Sequence, residues 1–240
     1  MAAKMDLVLP CFRPEPDWVT KVLAAASDLR TLRPNWEIRF LLVNDGDPNP
    51  LQDSEKEILS HQLGDVQFLS YPVNRGKGHA IRHGFAHSDA PITLYTDLDF
   101  PYEVESLVRV AETILLQQQD LAIGIKNAEY YQAVPPSRVW LSQLLRWSTG
   151  KLLRLPITDT QCGLKAFSPQ GRELMLSTTI DRYLFDLECI FLASRQPALR
   201  MKAVPIQLRD GVVFSRFGVR ILLQEGRNFL RLWVNSWGKK

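Results

Sequence analysis

Short apolar segments alternate with amphipathic ones through the first half of the chain, and this alternation constrains the fold most. Runs such as "DLVLP", "EIRFLLVND" and "VQFLSYP" indicate buried strands, and each is followed by a segment with helical periodicity. Strands that alternate with helices of about 10–15 residues favour βαβ units and a mostly parallel sheet. We therefore predict an α/β fold, with strands at 6–10, 37–45, 66–72, 91–99, 121–126 and 201–209, a loop and short strand at 157–168, and helices at 17–30, 53–63, 76–88, 103–118, 137–156, 181–195 and 218–237.

The residues of chemical interest gather at the carboxyl ends of the predicted strands. In open parallel sheets, ligands bind at that edge, where loops and helix N-termini face a crevice. Residues 10–15, 44–47, 74–78 and 97–99 all fall there. We expect one ligand site to be assembled from these four segments.

Composition narrows the class of protein further. The chain has 240 residues, 45% of them hydrophobic, which suits one large α/β domain or two small ones. A net charge of +3 is too small to argue for nucleic-acid binding, and none is predicted.

Three cysteines without metal-ligand spacing fit a reducing compartment. The N-terminal apolar run is too short for a signal peptide, and no segment approaches the ~20 apolar residues of a membrane span.

Asp97 and Asp99 follow a buried strand and are separated by one residue. In an extended chain both side chains leave the same face, about 6–7 Å apart. A hard cation such as Mg²⁺ or Mn²⁺ takes oxygen ligands and commonly shares carboxylates with substrate phosphates. The alternative is a strand-end turn in which Asp99 caps the next helix. A phosphatase nucleophile of the DxDxT type is disfavoured, because Pro101 stands at the threonine position.

Two further strand-end segments allow both a structural and a binding interpretation. "NRGKGH" places Arg75 and Lys77 at a helix start, which attracts anions, but an exposed glycine turn explains it equally well. It is neither a Walker A loop nor a dinucleotide fingerprint. Asp45 either forms an Asp-Gly turn or accepts hydrogen bonds from a nucleobase or ribose. The four histidines show no metal-ligand spacing and are expected on helix surfaces; they are His61, His79, His83 and His87.

Six motifs occur in an order that identifies a family resemblance. They are "LPCFRPE", "LLVNDGDP", "NRGKGHAIRHGF", "YTDLDFPYE", "DTQCGLKAF" and "YLFDLECIFLA", and they span roughly residues 5 to 210. The chain resembles family 2 glycosyltransferases of the GT-A fold, and most closely the dolichyl- or polyprenyl-phosphate sugar synthases. The resemblance implies a Rossmann-like, mostly parallel sheet flanked by helices, and transfer of a sugar from a nucleotide-sugar with inversion at the anomeric carbon.

The resemblance also implies a donor site. Asp97 would meet the donor's ribose or the metal, and Asp99 would ligate Mg²⁺ or Mn²⁺ bridging the diphosphate. Charge builds on that leaving group as the glycosidic bond breaks, so a cation and a lysine there stabilise the transition state. The residues expected to contact the nucleotide-sugar are Pro10, Phe12, Glu15, Asp45, Arg75, Lys77 and Asp97.

On the acceptor side the resemblance selects three carboxylates, Asp159, Asp186 and Glu188. If the acceptor is a sugar hydroxyl, one of them should be the general base, with Asp159 the first choice. If it is a lipid phosphate, the nucleophile is already ionised and no base is required. The alternative for Asp186 and Glu188 is a helix surface, or a buried pair with Arg182 or Lys165.

Two positions depart from the family pattern. The usual "P-x-Y-N-E" reads Pro10-Cys11-Phe12-Arg13-Pro14 here, with Glu15 following directly. In the lipid-phosphate mannose synthases a glutamine two residues after the second aspartate helps hold the metal, whereas Pro101 occupies that position. The cation should therefore have few protein ligands.

Two amphipathic segments carry tryptophan on a broad apolar face with arginine at its border. They span 139–155 and 219–237. Such helices suit the headgroup region of a membrane, especially one with anionic lipid. The alternatives are packing on the sheet and a homodimer contact.

Together these patterns predict a glycosyltransferase in the cytoplasm, peripheral to the cytosolic face of a membrane, that uses a polyprenyl phosphate or other lipid-linked acceptor. A catalytic domain is expected over 1–215, with a nucleotide-sugar half at 1–126 and an acceptor half at 127–215, followed by a basic helix at 216–240. The alternatives are transfer to a sugar hydroxyl in polysaccharide or lipopolysaccharide synthesis, and a non-catalytic nucleotide-sugar-binding protein.

Overall fold

A seven-stranded sheet organises the molecule. The computed structural model describes residues 3–49, 51–126, 136–209 and 219–237. Within them the strand order is β3-β2-β1-β4-β6-β5-β7. The strands are β1 (Ala3–Cys11), β2 (Trp36–Asn44), β3 (Val66–Ser70), β4 (Ile92–Tyr95), β5 (Leu121–Lys126), β6 (Lys165–Phe167) and β7 (Met201–Ile206).

The helices connect these strands and cover both faces of the sheet. Eight are found in the described part of the chain. They are α1 (Trp18–Leu32), α2 (Asp53–Leu63), α3 (Lys77–Ala86), α4 (Val104–Gln117), α5 (Pro136–Leu152), α6 (Pro169–Leu176), α7 (Phe185–Ser194) and α8 (Val219–Trp237).

Strand pairing is parallel except at one position in the sheet. β1 pairs in parallel with β2 and β4, β2 with β3, and β5 with β7. The short β6 runs antiparallel between β4 and β5. The predicted mostly parallel α/β sheet is therefore confirmed, with one reversed strand that joins its two halves.

The sequence prediction missed α6 entirely and extended α5 too far. Ser168 is the N-cap of α6, where its hydroxyl accepts a hydrogen bond from the Gly171 N–H at 3.2 Å, and Pro169 opens the first turn. Serine followed by proline was thus a usable start signal. α5 ends at Leu152, and Arg154 has a φ of 54°, so Leu155 lies beyond the helix rather than on its predicted apolar arc.

Two apolar cores lie on opposite faces of the sheet because strand side chains alternate. In β1, Leu7 and Leu9 pack into the core under α1, α2 and α4, while Val8 packs into the core under α3, α6 and α7. All three cysteines are free and buried.

A buried carboxylate ties the amino-terminal parts of the central strands together. Asp6 on β1 forms a bidentate ion pair with Arg39 on β2, at 2.8 and 2.7 Å. It also accepts hydrogen bonds from the Ser88 hydroxyl at 2.7 Å and the Ala90 N–H at 3.2 Å. Burial alone would raise the pKa of Asp6, but these donors outweigh it and lower that pKa below its ordinary value of 3.8.

The contact between α3 and the sheet predicts a sharp size limit at Gly84. A Cβ there would overlap Val8 Cγ1 and lie 3.1 Å from Val43 Cγ2. Gly84→Ala should therefore lower the free energy of unfolding by about 1–3 kcal/mol, measured by urea titration. The matched control is Gly226→Ala on α8, where nothing lies within 4 Å of the added Cβ. That variant should keep or slightly raise stability, and an equal loss in both would contradict the packing argument.

Asp6 also predicts how stability depends on pH. Because its folded pKa is depressed, its stabilising effect is present above the ordinary value of 3.8 and is lost as the pH falls through the folded pKa. Asp6→Asn should cost about 3 kcal/mol at pH 7, since Arg39 loses a charged partner. The difference in unfolding free energy between parent and variant should shrink below about pH 4. A difference that stays constant down to pH 2 would rule out the depressed pKa.

Candidate active site

The carboxyl ends of β1 to β4 form one edge, because these strands are all parallel. The register pairs Cys11 with Asn44 and Asn44 with Ser70, and Tyr95 at the end of β4 pairs with Val8. The four strand-end segments predicted from the sequence therefore lie along the same edge of the sheet. Pro10 is the second-last residue of β1, and Phe12 and Glu15 follow the strand with exposed side chains.

Asp45, just beyond β2, holds the loop between β3 and α3. Its carboxylate accepts hydrogen bonds from the Tyr71 hydroxyl, the Asn74 amide and the Arg75 N–H, each at 2.8 Å, and from the Gly76 N–H at 3.0 Å. These contacts fix the loop that leads to Lys77. Tyr71 was not predicted as a site residue. Asn74 belongs to the predicted segment 74–78, but nothing in the sequence pairs either residue with Asp45.

Lys77, the first residue of α3, forms an ion pair with Asp97 at the end of β4. Burial alone would lower the pKa of Lys77, but the carboxylates of Asp97 and then Asp186 outweigh it and raise that pKa. The predicted basic loop and the predicted aspartate pair thus meet in one charged centre.

Asp99 lies at the same centre with an exposed side chain. Desolvation by the surrounding protein atoms, followed by the negative charge of Asp97, raises the pKa of Asp99. A carboxylate whose pKa is raised by a neighbouring carboxylate is a favourable place for a cation. The alternative that Asp99 caps the next helix is wrong, because the N-cap of α4 is Glu103.

The backbone is strained directly after this pair. Phe100 is fully buried with a φ of 47°, and its N–H donates to the Asp97 carbonyl at 3.0 Å. A left-handed conformation is costly for an aromatic residue, so the surrounding packing must enforce it. This turn lies at the carboxyl edge of the sheet and contains both carboxylates.

The motif "DTQCG", which was predicted on the acceptor side, packs against the Asp97 carboxylate. Gly163 lies so close to Asp97 that a Cβ would overlap Oδ2, and the same Cβ would lie 3.4 Å from Lys77 Nζ. The Gly163 N–H donates to the Tyr102 hydroxyl at 3.1 Å. Neither Gly163 nor Tyr102 was predicted as a site residue, although the glycine stands inside a motif that was.

Asp159 is buried at the start of this loop. One oxygen accepts the Lys126 N–H at 2.8 Å, and the other lies 3.8 Å from Lys126 Nζ. Both contacts tie the start of this loop to the end of β5.

Asp186 is engaged in a buried charge network with Lys165. Its Oδ1 accepts a hydrogen bond from Lys165 Nζ at 2.7 Å and another from the Tyr95 hydroxyl. The buried pair with Lys165 that the sequence left open as an alternative is therefore the observed contact. Burial and then the charge of Asp186 raise the pKa of Tyr95 well above 10.

Glu188, two residues further along α7, binds a loop rather than open space. Its two oxygens accept hydrogen bonds from the Thr179 N–H at 2.7 Å, the Thr179 hydroxyl at 2.8 Å and the Ile180 N–H at 2.7 Å. This loop in turn packs on the start of α3. A Cβ at Gly76 would lie 2.7 Å from the Asp181 carbonyl, and one at Gly78 would lie 2.5 Å from that of Ile180.

The histidines of α3 lie beside this site without forming a metal cluster. His79 and His83 are half-buried, and each makes an edge-on contact with Tyr71, at centroid distances of 4.9 and 5.2 Å. Within the described ranges, no three histidine, cysteine, aspartate or glutamate side chains gather closely enough to hold a metal ion.

The amphipathic helices divide their apolar residues between the core and the surface. On α8, Leu232 is buried and Phe229 and Trp233 pack against the core, whereas Leu230 and Val234 are exposed. On α5, Trp147 is 58% exposed, and the side chains of Trp140, Leu141 and Leu144 lie outside the described residues. No helix in the described part of the chain combines the length and apolar composition needed to cross a membrane.

The site therefore contains a lysine suited to a diphosphate and two carboxylates suited to a cation. The "DTQCG" motif and α7 lie beside them.

Comparison with known proteins identifies relatives of the chain. The chain is 26% identical over 251 residues to a dolichyl-phosphate beta-glucosyltransferase of Drosophila melanogaster, an alignment covering 96% of the chain and 74% of the relative. A protein of the same name from Saccharomyces cerevisiae is 27% identical, covering 73% of the chain and 57% of the relative. The predicted resemblance to lipid-phosphate sugar synthases is thereby confirmed.

Solved structures share the fold at low sequence identity. Glucosyl-3-phosphoglycerate synthase from Mycobacterium tuberculosis, solved with Mn²⁺ and uridine diphosphate, gives a TM-score of 0.64 at 17% identity, covering 98% of the chain and 80% of that structure. Mannosyl-3-phosphoglycerate synthase from Rubrobacter xylanophilus gives a TM-score of 0.69 at 15% identity, and the match covers 96% of the chain and 73% of that structure. The predicted GT-A fold is confirmed. A model of the family described as "Glycosyl transferase family 2" matches residues 6–168, so the chain belongs to this family of glycosyltransferases.

Proposed function

We propose that this glycosyltransferase moves glucose from UDP-glucose to a polyprenyl phosphate, with inversion at the anomeric carbon. The observation that carries the proposal is the contact between Gly163 and the Asp97 carboxylate, which places the acceptor motif against the donor motif. The names of the relatives support a lipid-phosphate acceptor and glucose. A protein of the same fold binds uridine diphosphate, which supports uridine as the nucleoside of the donor.

The donor would lie along the carboxyl edge of the sheet. Lys77 is placed to meet the diphosphate, and the loop fixed by Asp45 would form one wall of the nucleotide pocket together with Arg75. Pro10, Phe12 and Glu15 at the end of β1 would form the other wall. These assignments extend the sequence prediction to a particular edge of the structure.

Asp97 and Asp99 fit a divalent cation, Mg²⁺ or Mn²⁺, because both supply hard oxygen ligands beside an anion-binding lysine. When bound, the cation would neutralise the charge that develops on the diphosphate leaving group. Pro101 offers no further ligand, so the remaining ligands would be phosphate oxygens and water. Lys77 donates to the same diphosphate and reinforces this stabilisation as the glycosidic bond breaks.

A phosphate acceptor gives the three predicted general bases another role. Its oxygen is already ionised, so no side chain has to remove a proton. Asp186 and Glu188 both make internal hydrogen bonds, and Asp159 is held by Lys126. In this proposal they shape the acceptor side. Asp159 remains the predicted base if the acceptor is a sugar hydroxyl.

One assay separates this function from its alternatives. The protein is incubated with UDP-glucose and Mn²⁺, and UDP release and glucosylated product are measured with a polyprenyl phosphate, with an oligosaccharide, and without acceptor. Product with the polyprenyl phosphate alone supports the proposal, and product with the oligosaccharide alone overturns it. UDP-glucose binding without UDP release under any condition would instead indicate a non-catalytic binding protein.

The cation assignment predicts the effect of removing one carboxylate. Asp99→Ala should reduce metal-dependent transfer by at least about a hundredfold, because the charge on the leaving group is left uncompensated. Its circular dichroism and thermal midpoint should match the parent, since the side chain is exposed. Asp28→Ala, which removes an exposed carboxylate from α1, is the control and should keep full activity. Activity of Asp99→Ala near the parent level would refute the cation site.

We further propose that α8, together with the exposed part of α5, rests on a membrane surface at the cytosolic face. Leu230 and Val234 form an apolar pair one turn apart, and Arg227 and Arg231 are exposed beside them. Glu225 on the same helix accepts a hydrogen bond from the Leu184 N–H at 3.1 Å, next to the start of α7. A lipid acceptor would therefore arrive beside the acceptor side of the site. The predicted domain boundaries, the cytoplasmic location and the homodimer alternative stay predictions.

The membrane proposal predicts a position-specific loss of vesicle binding. Leu230→Glu and Val234→Glu together should abolish co-sedimentation with vesicles containing anionic lipid. Carboxylates at these positions resist burial in the headgroup region and are repelled by the negative lipid surface. The control is Leu116→Glu on α4, where the parent side chain is 58% exposed. It should bind as the parent does. If the parent stays wholly in the supernatant, or if all variants bind equally, the proposed surface is wrong.

A further inference from the structure

A fully buried lysine lies beneath the site and connects its donor and acceptor sides. Lys165, the first residue of β6, has no solvent exposure. Its Nζ donates to the Asp186 carboxylate at 2.7 Å and to the Tyr95 hydroxyl at 3.1 Å. The main-chain carbonyls of Thr160 and Cys162 also lie within hydrogen-bond distance of Nζ, at 3.1 and 2.6 Å, so its three N–H groups are shared among four acceptors.

Two of these four contacts hold the acceptor loop by its backbone. Thr160 and Cys162 lie within "DTQCG", and the residue after Cys162 is Gly163, which abuts Asp97. The other two contacts reach β4 two residues before Asp97 and α7 at Asp186. One ammonium group therefore joins three segments whose relative positions determine the distance between donor and acceptor.

A lysine suits this task because its charge is needed as well as its hydrogen bonds. Carbonyl oxygens and a carboxylate all attract an ammonium group, and Asp186 offsets the cost of burying its charge. Asp186 also acts on Lys77, whose pKa it helps to raise. A neutral side chain at position 165 would leave Asp186 uncompensated and free the loop carbonyls.

We propose that Lys165 is a positioning residue for the transfer step, which it serves by holding residues 159–163 against Asp97. This inference rests on the proposed transfer to a polyprenyl phosphate. Lys165 lies below the pocket and touches neither substrate. Its loss should therefore disturb acceptor alignment more than nucleotide binding or the cleavage of the donor by water.

The test compares two reactions of the same full-length protein. With UDP-glucose and Mn²⁺, UDP release to water is measured without acceptor, and glucosylated product is measured with a polyprenyl phosphate. Lys165→Met should lower the ratio of transfer to hydrolysis about tenfold to a hundredfold, because small displacements of reacting groups have effects of that size. The Kd for UDP should stay within about twofold of the parent. Lys165→Gln retains N–H donors and should recover part of the ratio.

A remote variant controls for loss of stability alone. Arg39→Met removes the cation from a different ion pair, the bidentate one with Asp6, far along the strands from the site. It should lower the thermal midpoint yet leave the transfer-to-hydrolysis ratio at the parent value. If Lys165→Met does not fold, the ratio of Lys165→Gln combined with Asp186→Asn, a neutral pair, is measured instead.

The outcomes separate this inference from the function on which it rests. A parent that forms no glucosylated product overturns the proposed function, and this inference with it. A parent that forms product, while the folded position-165 variants keep the parent ratio, overturns only the positioning role. A fall in both reactions by the same factor also overturns it, since that is the result expected from a smaller folded fraction.

Discussion

The parallel pairing of β1, β2, β3 and β4 is the constraint on which the rest of the molecule depends. Parallel strands end at the same edge, so their strand-end residues must share one surface whatever their separation in sequence. Asp45, Lys77 and Asp97 come from three different strand ends and meet there. The single antiparallel strand, β6, then brings the "DTQCG" loop to that edge from the other half of the sheet.

Three ion pairs hold the segments of the site together. Lys77 pairs with Asp97, Lys165 pairs with Asp186, and Asp159 is held by Lys126. In each of these three pairs the opposite charge offsets the cost of removing the carboxylate from water. Asp99 is different, because it is exposed and lies beside another carboxylate. This is why the proposed function gives Asp99 to the cation.

Much of this arrangement was predictable from the sequence, and the failures have physical causes. The pattern of apolar and polar residues predicted seven of the eight described helices and all seven described strands, including the short β6, because each element has side chains in the core. It missed α6, whose start signal at Ser168 and Pro169 is local and not periodic. It also could not show that Glu188 binds residues 179 and 180, or that Tyr71 and Asn74 serve Asp45. Those contacts join segments by tertiary packing and leave no pattern of spacing.

The close approach of α3 to the loop at 179–182 bears on how such an enzyme can change over generations. At Gly76 and Gly78 two backbones touch with no room for a side chain between them. One of these backbones leads into Lys77 and the other is fixed by Glu188 on α7. An insertion in either loop would displace both segments at once, and in the proposed function these serve the two substrates. New donor and acceptor preferences should therefore arise by exchanging side chains on the existing loops, while the lengths of those two loops stay constant.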